Sequence, residues 1–346
     1  MKNLGKILLP ILCLSMGILS GCKNDNEQSS KIKLTFGDIN TQDVIDVKIG
    51  DLNSFVTQKQ SFLFAVSPEG CACWSEFHPH LSSYIKEHHL ICYHMSYKEF
   101  ESYASAYKIL LTKGATTFVI FENGVAKVSL TSGEGNDAMK KKDEFYKFMD
   151  STVEFPKCYY VSESNIDAIL ASDKTAVIYY KRSGCGDCTY LEPNILKPYV
   201  ESHSNMKYLY VLDCSEWYES EDKGQSKKDK YGLSNANNPI YGYNKGVYPY
   251  FAFLENGNYK SAAEAFNVAI ENNVITDSYY SQDRLNNLQY LKDNASIATK
   301  VITGLELSAS DLNSYGGWEH TKALKYYQPI INAFLDYALP QTTFTF

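Results

Sequence analysis

Arg182-Ser183-Gly184-Cys185-Gly186-Asp187-Cys188-Thr189-Tyr190-Leu191-Glu192-Pro193 follows directly on the apolar run Ala176-Val177-Ile178-Tyr179-Tyr180. The order is a strand-like run, a glycine-bearing turn holding two cysteines three positions apart, and then a predicted helix. At the first turn of a helix, unpaired backbone N–H groups and the helix dipole favour negative charge. A thiol placed there loses its proton easily and becomes a nucleophile. Cys185 holds that place. Cys188, one turn further in, is set to attack a mixed disulfide and release the product. Lys181 and Arg182 favour the thiolate, and Asp187 opposes it.

The same stretch recurs upstream. Shifted by 114 positions, Cys71 falls on Cys185, Gly70 on Gly184 and Pro79 on Pro193, while Phe62–Val66 falls on Ala176–Tyr180. Leu52 and Phe55 fall on Ile166 and Ile169, the spacing of one helix face. Further along, Thr116–Gly124 and Pro249–Gly257 are both apolar runs ending in Asn-Gly, a hairpin signal, and they align at a shift of 133. The second copy therefore carries 19 extra residues between its cysteines and its hairpin. Self-similarity of this kind predicts two copies of one domain. The order strand, helix, strand with the cysteines, helix, strand, helix, hairpin, helix predicts an α/β sandwich with a mixed sheet.

The residues Cys185-Gly186-Asp187-Cys188 after a strand, Pro193 in the following helix, and Tyr248-Pro249 opening the hairpin resemble the thioredoxin-like superfamily. The resemblance covers most of 160–260 and, more weakly, 45–150. It implies two tandem thioredoxin-like domains, each a mixed central sheet flanked by helices. It implies further that Pro249 is cis, lies against the dithiol, and that the backbone of its neighbour Tyr248 pairs with substrate. The superfamily's buried acid, six residues before the first active cysteine, is absent: that position is Tyr179, with Ala65 in the first copy. The first copy departs further, with Trp74 at the second cysteine position, Cys73 giving Cys71-Ala72-Cys73, and Thr116 at the proline position. A disulfide across one intervening residue closes a small ring, and a strained disulfide is the more easily reduced. Cys71 and Cys73 are thus either a second redox or metal site or relics on a binding domain. Soft sulfur beside His78 and His80 would suit copper or zinc, although surface histidines on a helix are usually just solvated.

The N-terminus is a separate matter. Lys2 and Lys6 flank an apolar core, Ile7–Leu19, shorter than a membrane span. Leu19-Ser20-Gly21-Cys22 resembles the lipobox of a bacterial lipoprotein signal, which implies cleavage before Cys22 and lipid on its sulfur. A plain secretory peptide is the alternative. On this reading 1–21 is signal peptide, 22–32 a polar tether, 33–152 the degenerate thioredoxin-like domain, and 153–346 the second. The second domain carries an insertion at about 215–247 and an extended helical C-terminal part. The charge-dense 219–230 reads as a solvated loop, and the Tyr-rich 237–243 as substrate-facing. Helical spacing from Leu324 to Ala338 predicts a closing helix stopped by Pro340.

The chain has 346 residues, 44% hydrophobic and 21% charged, with a net charge of −7 and no basic stripe, which argues against a nucleic-acid partner. Of nine cysteines, Cys13 leaves with the signal, Cys22 takes lipid, and seven remain. Cys92 and Cys158 fall in apolar runs and read as core. Cys214 reads as a strand-end residue. The resulting expectation is a lipid-anchored, extracytoplasmic thiol–disulfide oxidoreductase on a bacterial cell membrane. It would work on protein thiols and disulfides through Cys185 and Cys188, with a membrane or extracellular redox partner and no cofactor or metal. The rival is a non-enzymatic lipoprotein that binds a protein partner or a copper or zinc ion.

Overall fold

The computed structural model describes residues 31–346, apart from 134, 136, 219–220, 232, 234–247, 265–267, 272–273, 279–286 and 295–319. Cys22, the signal segment and the Tyr-rich 237–243 therefore lie outside the described residues. No described helix is long and apolar enough to cross a membrane.

Each copy builds one sheet around its buried motif strand. In the first, Phe62–Ser67 pairs in parallel with Cys92–Ser96, which pairs in parallel with the short edge strand Ile45–Asp46. On its other side it pairs antiparallel with Thr117–Glu122, which turns back into Val125–Thr131. The second copy repeats this order with Cys158–Tyr160, Leu209–Asp213, Thr175–Lys181, Tyr250–Glu255 and Asn258–Glu264. Phe62, Phe64 and Val66 face one core of the first copy, while Leu63 and Ala65 face the other. Alternation of that kind puts apolar side chains on both faces of a covered sheet.

The duplication extends to backbone detail. Gly70 and Gly184 both have positive φ (67° and 75°), as do Asn123-Gly124 and Asn256-Gly257 at the hairpin turns. The irregularity between Ile120 and Phe121 reappears between Phe253 and Leu254. Both turns also press on the end of the helix that leads into the motif strand, Ile49–Thr57 in the first copy and Glu163–Leu170 in the second. A Cβ on Gly257 would stand 2.2 Å from the Leu170 carbonyl oxygen, and one on Gly124 2.4 Å from that of Val56. Gly257→Ala combines that clash with a left-handed φ and is expected to cost about 2–3 kcal/mol, read as a lower midpoint in urea unfolding.

A short strand near the start lies outside the repeat. Phe36–Asp38 joins the second sheet as a sixth strand, parallel to Cys158–Tyr160. The Asp38 N–H donates to the His89 carbonyl of the first copy (2.9 Å), and the Ile39 N–H to Tyr160 of the second (3.0 Å). Phe36 and Ile91 of the first copy accordingly sit in the second copy's core.

Two expectations are corrected. Within the charge run read as a loop, Glu221–Lys230 is a helix. It is docked by ion pairs from Lys227 to Glu163 and from Lys230 to Asp167, partners that a composition reading cannot see. The turn before it buries Trp217, whose indole stacks on Tyr231 and donates to Glu163 (2.8 Å). The C-terminal part is not helical throughout: Val268–Glu271 and Val274–Ser278 form an antiparallel pair, as β-branched Val268, Ile270, Val274 and Ile275 favour. The closing helix runs His320–Ala338 and ends before Pro340.

Candidate active site

Cys185 is the N-cap of the helical segment that begins at Gly186. Its sulfur accepts the Cys188 backbone N–H at 3.3 Å, as a capping oxygen would. Both thiols are free and buried, Cys185 7% and Cys188 1% exposed. The Tyr248–Pro249 bond is cis, and the Tyr248 carbonyl oxygen lies 3.5 Å from the Cys185 sulfur. The hairpin thus places one backbone carbonyl against the first thiol, and both residues are buried.

The two thiols are driven apart electrostatically. A hydrogen bond from the Cys188 side chain is the chief cause that lowers Cys185 to about 7; burial opposes it, and Asp187 also pulls upward. Cys188 is pushed far above the ordinary thiol range by burial, then by the Cys185 sulfur, with the Glu192 charge adding to it. Only the thiolate reacts with alkylating agents. Iodoacetamide labelling of Cys185 is therefore expected to be half-maximal near pH 7 and to fall about tenfold per pH unit below it. Mass spectrometry of the labelled peptide checks this, and Cys188 should stay unmodified throughout.

Beneath the dithiol sits a buried acid that the sequence reading did not find. Tyr179 does hold the strand position, but its hydroxyl donates to Glu192 Oε1 at 3.2 Å. Glu192 is 4% exposed and forms an ion pair with Lys181. Lys181 also donates to the Tyr160 hydroxyl (3.3 Å) and lies over the Phe36 ring, 5.6 Å from its centre. Burial alone would pull the lysine down, but Tyr160 and Glu192 outweigh it and keep it protonated. The other carboxylate oxygen, Oε2, is buried and has no hydrogen-bond partner among the described residues. Glu192 lies four residues after Cys188, so both project from one face, and its N–H donates to the Cys188 carbonyl. It opens a π-helical turn, Glu192–Leu196, that contains Pro193. Such turns cluster at functional sites. The signal in the sequence was an acid at i+4 from Cys188, set between the buried Leu191 and Ile195. A cavity lined by Lys33, Phe36, Cys158, Glu192 and Lys197 lies behind the pair.

The remaining candidates fall apart from this cluster. Cys71 and Cys73 are joined to each other by a disulfide. His78 pairs with Asp43 (2.7 Å), and His80 lies 3.3 Å from the Lys140 carbonyl. Among the described residues no group of three or more His, Cys, Asp or Glu is placed to hold a metal ion. Cys92 and Cys158 are core residues. Cys214 is fully buried at the end of its strand.

The strand order, the dithiol at the helix start and the cis proline facing it define a thioredoxin-like fold, present here as two tandem domains. No family model and no curated protein matches the chain. Among solved structures it is similar to a mutant thioredoxin from Halobacterium salinarum NRC-1 (15% identity, 33% of this chain and 94% of that one, TM-score 0.27). It is similar also to the oxidised thioredoxin of Plasmodium falciparum (14% identity, 31% of this chain and 95% of that one, TM-score 0.25). ERdj5 form I is matched over 61% of this chain and 26% of its own, at 8% identity and TM-score 0.25.

Proposed function

We propose that the chain is a lipid-anchored, extracytoplasmic thiol–disulfide oxidoreductase that exchanges disulfides with protein substrates through Cys185 and Cys188. The observation that carries this reading is geometric: Cys185 caps a helix start with its sulfur accepting the Cys188 N–H at 3.3 Å, the carbonyl of the cis Tyr248–Pro249 bond stands 3.5 Å from it, and Cys188 lies buried one turn further in. In the reducing direction the Cys185 thiolate attacks one sulfur of a substrate disulfide, and the other leaves as thiolate. Cys188 then loses its proton, with a water between it and the Glu192 carboxylate as the carrier, and attacks the Cys185 sulfur. The Cys185–Cys188 disulfide forms, the substrate departs as a dithiol, and two electrons have passed to it. The reverse sequence oxidises a substrate, and the partner's potential sets the direction. Tyr248 and Pro249 form the wall against which the substrate chain lies. No cofactor enters the reaction.

Serine at 188 removes the resolving thiol but keeps the nucleophile. A Cys188→Ser chain expressed in its own envelope is expected to accumulate mixed disulfides through Cys185, visible as reducible high-mass bands. Absence of such adducts, with no reduction of insulin by the parent protein, would overturn the enzymatic reading. Cys22→Ala is expected to move the protein from the membrane to the soluble fraction, since a lone polar tether gives no bilayer affinity.

A further inference from the structure

The first copy carries its own sulfur pair, and its surroundings are those of an exchanging disulfide. Cys71 caps the 16-residue helix Ala72–Glu87, and its sulfur accepts the Cys73 backbone N–H at 3.2 Å. The Cys71 and Cys73 Cα atoms are 5.2 Å apart, within disulfide reach. Both residues are partly open to solvent, whereas Cys185 and Cys188 are buried. The Gly114 carbonyl oxygen stands 3.4 Å from the Cys71 sulfur, much as Tyr248 stands over Cys185. Thr116, fully buried at the position of Pro249, sets its hydroxyl 3.2 Å from the Cys73 sulfur. Trp74 fills the second cysteine position and packs on His78 and His94, each 4.8 Å away ring to ring. A structural disulfide needs none of this. A buried hydroxyl aimed at one sulfur and a capping N–H on the other are donors for two departing thiolates, and solvent-facing disulfides are the labile ones.

We propose that Cys71–Cys73 is a second exchange centre, which oxidises a substrate dithiol. One substrate thiolate attacks the Cys71 sulfur. The Cys71–Cys73 bond breaks, and Cys73 leaves as a thiolate that accepts the Thr116 O–H. The second substrate thiolate attacks the substrate sulfur of the mixed disulfide, and Cys71 leaves as a thiolate held by the Cys73 N–H. The substrate gains a disulfide, two electrons enter the pair, and the substrate's protons end on the two cysteines or in water. This does not rest on the reading of Cys185 and Cys188.

The test uses the full chain in detergent carrying Cys185→Ser and Cys188→Ser, so that only the first pair can exchange. Dithiothreitol is the dithiol probe, and alkylation with mass spectrometry of the 71–73 peptide is the readout. The expected result is native-state reduction of one disulfide per chain within minutes, with one equivalent of oxidised dithiothreitol formed. Thr116→Val, which keeps shape and removes the donor, should slow the reaction about tenfold or more at unchanged circular dichroism. A pair that opens only in denaturant, a native chain whose Cys71 and Cys73 are unbonded, or a Thr116→Val rate equal to the parent's would each overturn the proposal.

Discussion

Cys185→Ser will lower the rate of insulin reduction by about three orders of magnitude or more, because a hydroxyl in place of the thiol offers no thiolate at neutral pH. The fold should survive, since serine also caps helices well. Its Oγ can accept the Cys188 N–H that the sulfur now accepts at 3.3 Å. Equal circular dichroism with lost turnover is therefore the expected pair of results. Turnover that persists in the serine variant would move the chemistry away from residues 185–188. Cys71–Cys73 would be the first place to look for it.

Glu192→Gln is the second large effect. Glutamine keeps the size of the side chain and can still accept from Tyr179 and Lys181, but it cannot take a proton. If the Glu192 carboxylate receives the Cys188 proton through a water, the mixed disulfide formed with an oxidised peptide should live about a hundredfold longer, the lower end of what general base catalysis supplies. The pH profile separates this from a merely structural role. Resolution in the variant should become proportional to hydroxide concentration, since solvent must then deprotonate Cys188. Formation of the mixed disulfide by Cys185 should change far less. The substitution will also cost stability, because the buried Lys181 ammonium loses its charge partner, and removing one member of a buried pair costs about 3–5 kcal/mol. The kinetics must therefore be read per folded molecule. Lifetimes equal in parent and variant would remove Glu192 from the reaction.

What the residues disclosed and what they concealed divide along physical lines. Gly70, Gly184 and the two Asn-Gly turns were legible because left-handed backbone leaves a local mark on residue choice. The motif strands were legible because continuous apolar runs mark a sheet covered on both faces. Glu192 was not, because an acid in a helix reads as solvent-facing until Tyr179, Lys181 and Tyr160 are seen to close around it. Phe36–Asp38 was missed for a related reason: three residues carry no period, and their partner strand lies more than a hundred positions away. The helix Glu221–Lys230 has no apolar face to betray it and is held by Glu163 and Asp167 from another element.

Equilibration of the purified chain with glutathione and dithiothreitol redox buffers, between about −120 and −300 mV, tests the central claim most directly. The oxidation state of Cys185 and Cys188 is read by acid quenching, alkylation and mass spectrometry. A single reversible two-electron transition, with both cysteines changing together and the transition lost in Cys185→Ser, is the predicted result. A pair that stays in one state across the whole range, or opens only when the protein is unfolded, would contradict it.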